Sequence, residues 1–223
     1  MIAAAEMAAL RMKPEYGPTL GRLLAPRWRA ASRPRRAAVM VAAVALLAVL
    51  LGAFLTLENS SYSHGGSVRF SFSYRDLYRT APDPGGFVKI QSRWHGGALK
   101  YSYAVGPLRL PHYTSELSAE LPLYAVGFIH GLRGRYDDFA LRAEGKTRIN
   151  NTLTGYEVVY TADVEGRPMY GRDVLLLPPR AGAREGVVVT MLTAPTASAQ
   201  VQSPLEVGET GVLLKPMKTF TFG

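Results

Sequence analysis

The sequence predicts an α+β domain, a largely antiparallel sheet flanked by helices, preceded by one transmembrane helix. Three observations predict this. A stretch of 21 residues without a charge, Ala37–Leu57, follows a cluster of arginines. Beyond it, successive segments alternate apolar and polar residues at period two, the signature of half-buried strands. One segment between them switches to helical spacing, and the order is not the alternating βαβ of a parallel sheet.

The elements follow in order. Residues 1–36 are a basic tail containing "YGPTLGRLLAPRWRAASRPRR". The uncharged run of 37–57 spans about 31 Å as a helix, the thickness of a hydrocarbon core. Arg22, Arg27, Arg29, Arg33, Arg35 and Arg36 precede it and Glu58 follows it, which places the tail in the cytoplasm and the rest outside. A cleaved signal peptide fits less well, because 36 residues precede the apolar run and its exit, "AFLTLENSS", lacks a small-x-small site. Residues 58–66, "ENSSYSHGG", read as a polar linker, and 67–223 as the extracytoplasmic domain.

Within the domain, "VRFSFSY" places Val68, Phe70, Phe72 and Tyr74 on one face of a strand. "YRTAPDPGG" reads as a loop. "FVKIQSRW" and "LKYSYAV" flank His95-Gly96-Gly97-Ala98 as a hairpin, and "GPLRLPHY" reads as a second loop. Leu117, Leu121, Ala125, Phe128, Leu132 and Tyr136 recur three or four apart, predicting a helix over 121–134 with Pro122 in its first turn and Gly134 as its stop. Strands resume with "FALRAEGKTRI", "GYEVVYTADV", "PMYGRDVLLLP" and "GVVVTMLTAP". A Pro/Ala/Ser segment from Ala194 to Ser203, with room for a short helix, leads to a final strand around Phe220 and Phe222.

Composition bounds the function. The net charge of +9 divides into +5 over residues 1–58 and +4 over the much longer remainder. The basic character therefore belongs mainly to the tail. It points to anionic lipid headgroups, contacted by Arg27, Arg29, Arg33, Arg35 and Arg36, and not to nucleic acid. The chain has no cysteine, which excludes disulfides, thiol catalysis, cysteine zinc sites and a lipid-modified cysteine anchor.

The run "GYEVVYTADVEGRPMYGRDVLLLPP", then "GVVVTMLTAP", then the terminal "MKTFTFG" resembles the α/β/α-sandwich domains of the PsbP-like superfamily, which includes the actinobacterial LpqN-like lipoproteins. The resemblance extends over about residues 68–223. It implies a sandwich fold and an extracytoplasmic accessory or binding role, and it carries over no functional residue. LpqN-like proteins have a lipid-modified cysteine; here a transmembrane helix would take its place.

Candidate chemistry is sparse. A turn at Gly166-Arg167 would set Tyr160 opposite Asp173 and Thr161 opposite Arg172. Asp173 then interrupts an apolar face of Tyr156, Val158, Tyr160, Ala162, Val164, Met169, Leu175 and Leu177. A buried carboxylate there is either a ligand or acid/base group beside Tyr160, or a structural group satisfied by its neighbours. The opposite face places Asp163 diagonal to Arg172. Tyr160, Asp173, Arg172 and Asp163 are thus the candidate polar site. His64, His95, His112 and His130 lack metal-ligand spacing, and no G-x-S-x-G is present. No catalytic residue, metal or cofactor is expected. The expected function is a membrane-tethered, non-enzymatic accessory module of the cell envelope with an envelope protein as partner. A small-ligand or lipid-binding domain is the alternative, and an envelope hydrolase a third.

Overall fold

The computed structural model describes residues 32–57, 60–111, 117–150, 152–180 and 182–223. The tail with Arg27 and Arg29, and also Asn59 and His112, lies outside the described residues. The chain divides into two units, Met1–Leu55 and Thr56–Gly223.

Helix α1 runs over Arg33–Leu57 and ends just past the first unit. It begins four residues before the expected span, so Arg33, Arg35 and Arg36 belong to the helix itself. The side chains described in its apolar part, residues 37–50, are Ala, Val, Met and Leu on every face, and all are exposed. Among the described residues no helix is long and apolar enough to cross a membrane.

Among the described residues, the second unit contains ten strands. They are β1 (Ser60–His64), β2 (Phe70–Tyr74), β3 (Tyr78–Thr80), β4 (Val88–Arg93), β5 (Leu99–Arg109), β6 (Asp137–Ile149), β7 (Leu153–Val164), β8 (Arg167–Leu176), β9 (Glu185–Thr193) and β10 (Thr221–Phe222). Two α-helices join them: α2 (Leu117–Arg135) and the short α3 (Leu214–Lys218). Seven strands form one antiparallel sheet in the order β3-β4-β5-β9-β8-β7-β6, and β1-β2-β10 form a smaller one.

The alternation of side chains divides the large sheet into two faces. One face carries Tyr103, Val105, Val174, Leu176, Val187, Val189 and Met191. It packs against Phe70, Phe72, Leu213, Met217 and Phe220 from the small sheet and the α3 region. Aromatic rings fill this layer: Phe70 and Phe220 lie 5.5 Å apart and Phe72 and Tyr103 5.0 Å apart. The other face meets α2, which buries Leu121, Ala125, Ile129 and Leu132 against Val158, Tyr160, Ala162, Met169 and Leu175.

The α+β class and the antiparallel sheet are as expected, but helices do not flank the large sheet on both sides. A long helix covers one face; a small sheet with a five-residue helix covers the other. Several element boundaries also differ. The expected linker of 58–66 contains β1, whose Tyr62 and His64 pack on Phe70 and Phe72 of β2 or on Phe87. Within "YRTAPDPGG", Tyr78–Thr80 pair with β4. Strand β5 runs through "GPLR" to Arg109. Pro107 is tolerated there because its neighbour β4 already ends opposite Val105, so the missing N–H faces no partner.

Helix α2 starts earlier than expected. Pro122 therefore lies inside it, forgoing one backbone bond, and Gly134 is passed through without a left-handed cap. The Ala194–Ser203 segment contains no helix; a 3-10 turn follows at Pro204–Glu206. The final strand joins β2, tied by Gly223 N–H to Arg69 O at 3.0 Å. Asn150, at φ 51°, donates its side-chain amide to Phe220 O at 2.9 Å, so the nitrogen of its N-x-T sequon is engaged within the fold.

Candidate functional site

The β7–β8 hairpin turns at Glu165-Gly166, with φ of 54° and 70°, and Val164 pairs with Arg167. This is the primed two-residue turn whose twist matches its strands. The turn lies one residue earlier than expected, so the register moves by two. A shift of two preserves every face. Tyr160 therefore faces Gly171, Val158 faces Asp173 and Val159 faces Arg172. Asp173 remains on the apolar side, diagonal to Tyr160.

Gly171 is required opposite Tyr160, because the tyrosine ring folds across it and a Cβ at 171 would fall inside that ring. Gly171→Ala is expected to cost about 2 kcal/mol by overpacking, a fall of roughly 6 °C in Tm. A thermal melt unchanged from the parent would refute this packing.

Asp173 is fully buried, and among the described residues no hydrogen-bond donor satisfies either of its oxygens. The Tyr160 hydroxyl beside it is also unsatisfied. Thr190 stands directly across on β9. Burial pushes the Asp173 carboxyl up to about 6; the Thr190 and Tyr160 hydroxyls and the Arg135 charge lie near enough to restrain the rise without closing a well-formed bond. Burial first, then the charge of Asp173, raises Tyr160 well above the ordinary phenol. Tyr136, stacked on Tyr160 with centroids 5.8 Å apart, is raised for the same two reasons. Orphaned buried polar groups are rare in folded proteins, and a perturbed carboxyl beside a cleft marks a candidate functional site.

A cleft opens beside this group. Helix α2 packs on β6, β7 and β8 and on Leu108 of β5, and leaves the rest of β5 with β4 and part of β9 uncovered. The result is an open groove of about 670 Å³. Its floor is Ser102, Ala104 and Thr190; its wall is Tyr124, Phe128, Arg135 and Tyr136 of α2 and the residue after it. Two ion pairs stand at its rim. Arg93 holds Glu165 through two bonds of 2.8 and 2.9 Å, and Lys89 holds Asp83 at 2.8 Å. The Arg93 guanidinium keeps Glu165 below the usual carboxylate range.

Arg172 and Asp163 do not belong to this site. Arg172 points to the opposite face of the sheet, where it bonds Glu157 at 2.5 and 2.9 Å, Glu209 at 2.5 Å and Val207 O at 3.0 Å. The expected Asp163–Arg172 neighbourhood does not form, because Asp163 pairs with Pro168 across the hairpin. Of the four expected polar-site residues, only Tyr160 and Asp173 therefore come together. Of the histidines, His64 stacks in β1, His95 sits in the β4–β5 turn and His130 is exposed on α2. Among the described residues no cluster of His, Asp and Glu is arranged to hold a metal.

In the sequence Arg135 reads, with Arg133 in "GLRGRYDDF", as an exposed cation at a helix C-terminus, with phosphate binding as the lesser alternative; the cleft floor is not legible there. One signal was present: β5 alternates large residues, Tyr101, Tyr103 and Val105, with small ones, Ser102, Ala104 and Gly106. A strand that is bulky on one face and bare on the other leaves space over the bare face.

No family model matches the chain, and no curated protein matches it. Among solved structures, it is similar to LpqN of Mycobacterium tuberculosis, described as involved in cell envelope biogenesis, with TM-score 0.48 and 7% identity over 74% of this chain and 91% of that one. It is similar also to PA94 of Pseudomonas aeruginosa, a protein of unknown function, with TM-score 0.34 and 13% identity over 63% and 85%. Neither likeness bears on chemistry.

Proposed function

We propose that the chain is a single-pass, membrane-anchored module of the cell envelope that acts by binding a small molecule and not by catalysis. In this reading residues 1–36 are cytoplasmic, Ala37–Leu57 cross the bilayer and the domain lies outside. The observation that carries it is the cleft beside α2: its about 670 Å³ falls within the range of ligand sites, and its walls combine aromatic faces with a few polar groups. Asp173 is fully buried on the strand next to Thr190 of the floor and does not line the cleft, so it can influence what binds but is poorly placed for proton transfer to a substrate. The uncharged run and the arginines before it support the anchor and its orientation. An envelope protein that delivers or receives the ligand is the natural partner for a tethered binder.

The topology is tested with protease added to intact cells. The domain beyond Asn59 should be digested while residues 1–36 survive; digestion of the tail with the domain spared would sink the orientation.

A further inference from the structure

We propose that the cleft takes an anionic ligand with an apolar or aromatic body, seating its negative group on Arg135, and that Asp173 takes up a solvent proton as the ligand binds. This rests on the cleft being the binding site, as proposed above.

The charge balance of the cleft leads to this ligand class. Lys89 and Arg93 line it, but each is already paired with a carboxylate that lines it too, Asp83 and Glu165. Among the described residues, Arg135 is the lining cation that forms no ion pair. The rings of Tyr124 and Phe128, on earlier turns of α2, and of Tyr136, the next residue, line the same cleft. A cation at the end of an aromatic wall, above a floor of small neutral side chains, suits a molecule with one negative end and a flat or apolar remainder.

Asp173, on the strand next to Thr190 of the floor, lies near enough to Arg135 for the two charges to act on each other. The groups that face Asp173 are Tyr160 from β7, Thr190 from β9, and Arg135 and Tyr136 from the end of α2. Its chain neighbour Arg172 points to the other face and is occupied there. Arg135 is thus the cation that acts on Asp173, and the same cation borders the cleft. When Asp173 is ionised, part of the field of Arg135 is spent on it, and an incoming anion meets a second negative charge close behind. When Asp173 is neutral, Arg135 faces the cleft uncompensated. An anion on Arg135 therefore favours the protonated acid, and protonation favours the anion. The two effects are one coupling and must be reciprocal. Burial without a hydrogen bond has already brought the acid close to the pH at which such coupling operates.

The test uses the full-length chain in lipid nanodiscs and two probes of one shape, naphthalene-2-sulfonate and the neutral naphthalene-2-sulfonamide. Equilibrium dialysis is run at pH 5 and 7.5, with empty nanodiscs subtracted. The sulfonate is charged at both values, so any pH effect belongs to the protein. The expected result is tighter binding of the sulfonate, strengthened about tenfold at pH 5, with the sulfonamide unaffected. Arg135→Gln should reduce sulfonate binding to the level of the sulfonamide. Asp173→Asn should make sulfonate binding strong at both pH values. Near-UV circular dichroism checks that each variant is folded. Equal, pH-independent binding of both probes would overturn the anion assignment and leave the cleft as a site. Sulfonate binding whose pH dependence persists in Asp173→Asn would overturn the role of Asp173. Binding of neither probe would overturn the cleft reading and this one with it.

Discussion

Arg172→Met is expected to destabilise the α+β domain by about 3 kcal/mol, the lower end of the range for removing one member of a buried pair. For a domain of this size that is a fall of roughly 10 °C in Tm. Arg172 is 5% exposed and joins four acceptors, Thr147, Glu157, Val207 O and Glu209, from three parts of the chain. Glu157, on the neighbouring strand, is 24% exposed, so its charge would be left partly desolvated without a partner. Glu209 is 58% exposed and water can take over its solvation, so it adds little. The Val207 carbonyl belongs to a buried residue and would lose its donor. The bonds to Val207 and Glu209 also pin the segment after Pro204 against the sheet. Hydrogen exchange should therefore rise in residues 204–210 before it rises in β7 and β8. Adding Glu157→Gln to the methionine variant should recover part of the loss, because the orphaned charge goes with it. A loss below about 1 kcal/mol, or exchange rising uniformly, would mean that the arginine is not a clamp.

Secondary structure was legible where one periodicity ran without interruption. The seven strands of alternating pattern and the α2 face of Leu121, Ala125 and Leu132 are present, because core-facing side chains recur at the period of the element. The short polar strands were not legible. β1, "SSYSH", carries no apolar alternation, and its place in the sheet depends on Phe70 and Phe72 of the adjacent strand, not on its own residues. Pro107 and Pro122 misled for a related reason. Proline marks a boundary when its neighbours would demand its N–H, and that demand is set by which strand or turn lies beside it.

The site was half legible. Asp173 could be placed on the apolar face by parity alone, and parity survived an error in the turn because the register moved by an even number. The partners of Arg172 could not be found in this way. Glu209 lies in an irregular segment 37 residues away, and no period connects them. The cleft was harder still, because it exists where α2 stops covering the sheet. The extent of that cover depends on how a helix of given length lies across seven strands, which local pattern does not encode.

Asp173→Asn is expected to stabilise the domain at neutral pH and to flatten its stability between about pH 4 and 6. The sign follows from the direction of the shift. The folded carboxyl is raised to about 6 from an ordinary 3.8, so the folded state holds this proton more tightly than the unfolded chain does. The stabilisation this gives is complete below the ordinary value and is lost as pH rises through about 6. Above that, the domain carries an ionised, buried carboxylate without a hydrogen bond. A shift of this size corresponds to about 3 kcal/mol, and the group is fully buried, so solvent does not screen the effect away. Removing the charge should return much of that at pH 7.5 and none at pH 3.5. Urea denaturation of parent and variant at both values measures the difference, and other carboxylates cancel because they are common to the two proteins. If the variant is less stable at pH 7.5 by as much as it is at pH 3.5, Asp173 is a satisfied structural group whose charge the fold accommodates. If the difference opens as pH rises, the domain retains at neutral pH an acid that weakens it. A residue that lowers stability beside a cleft is what selection for binding would leave in place, since an asparagine would serve the fold better.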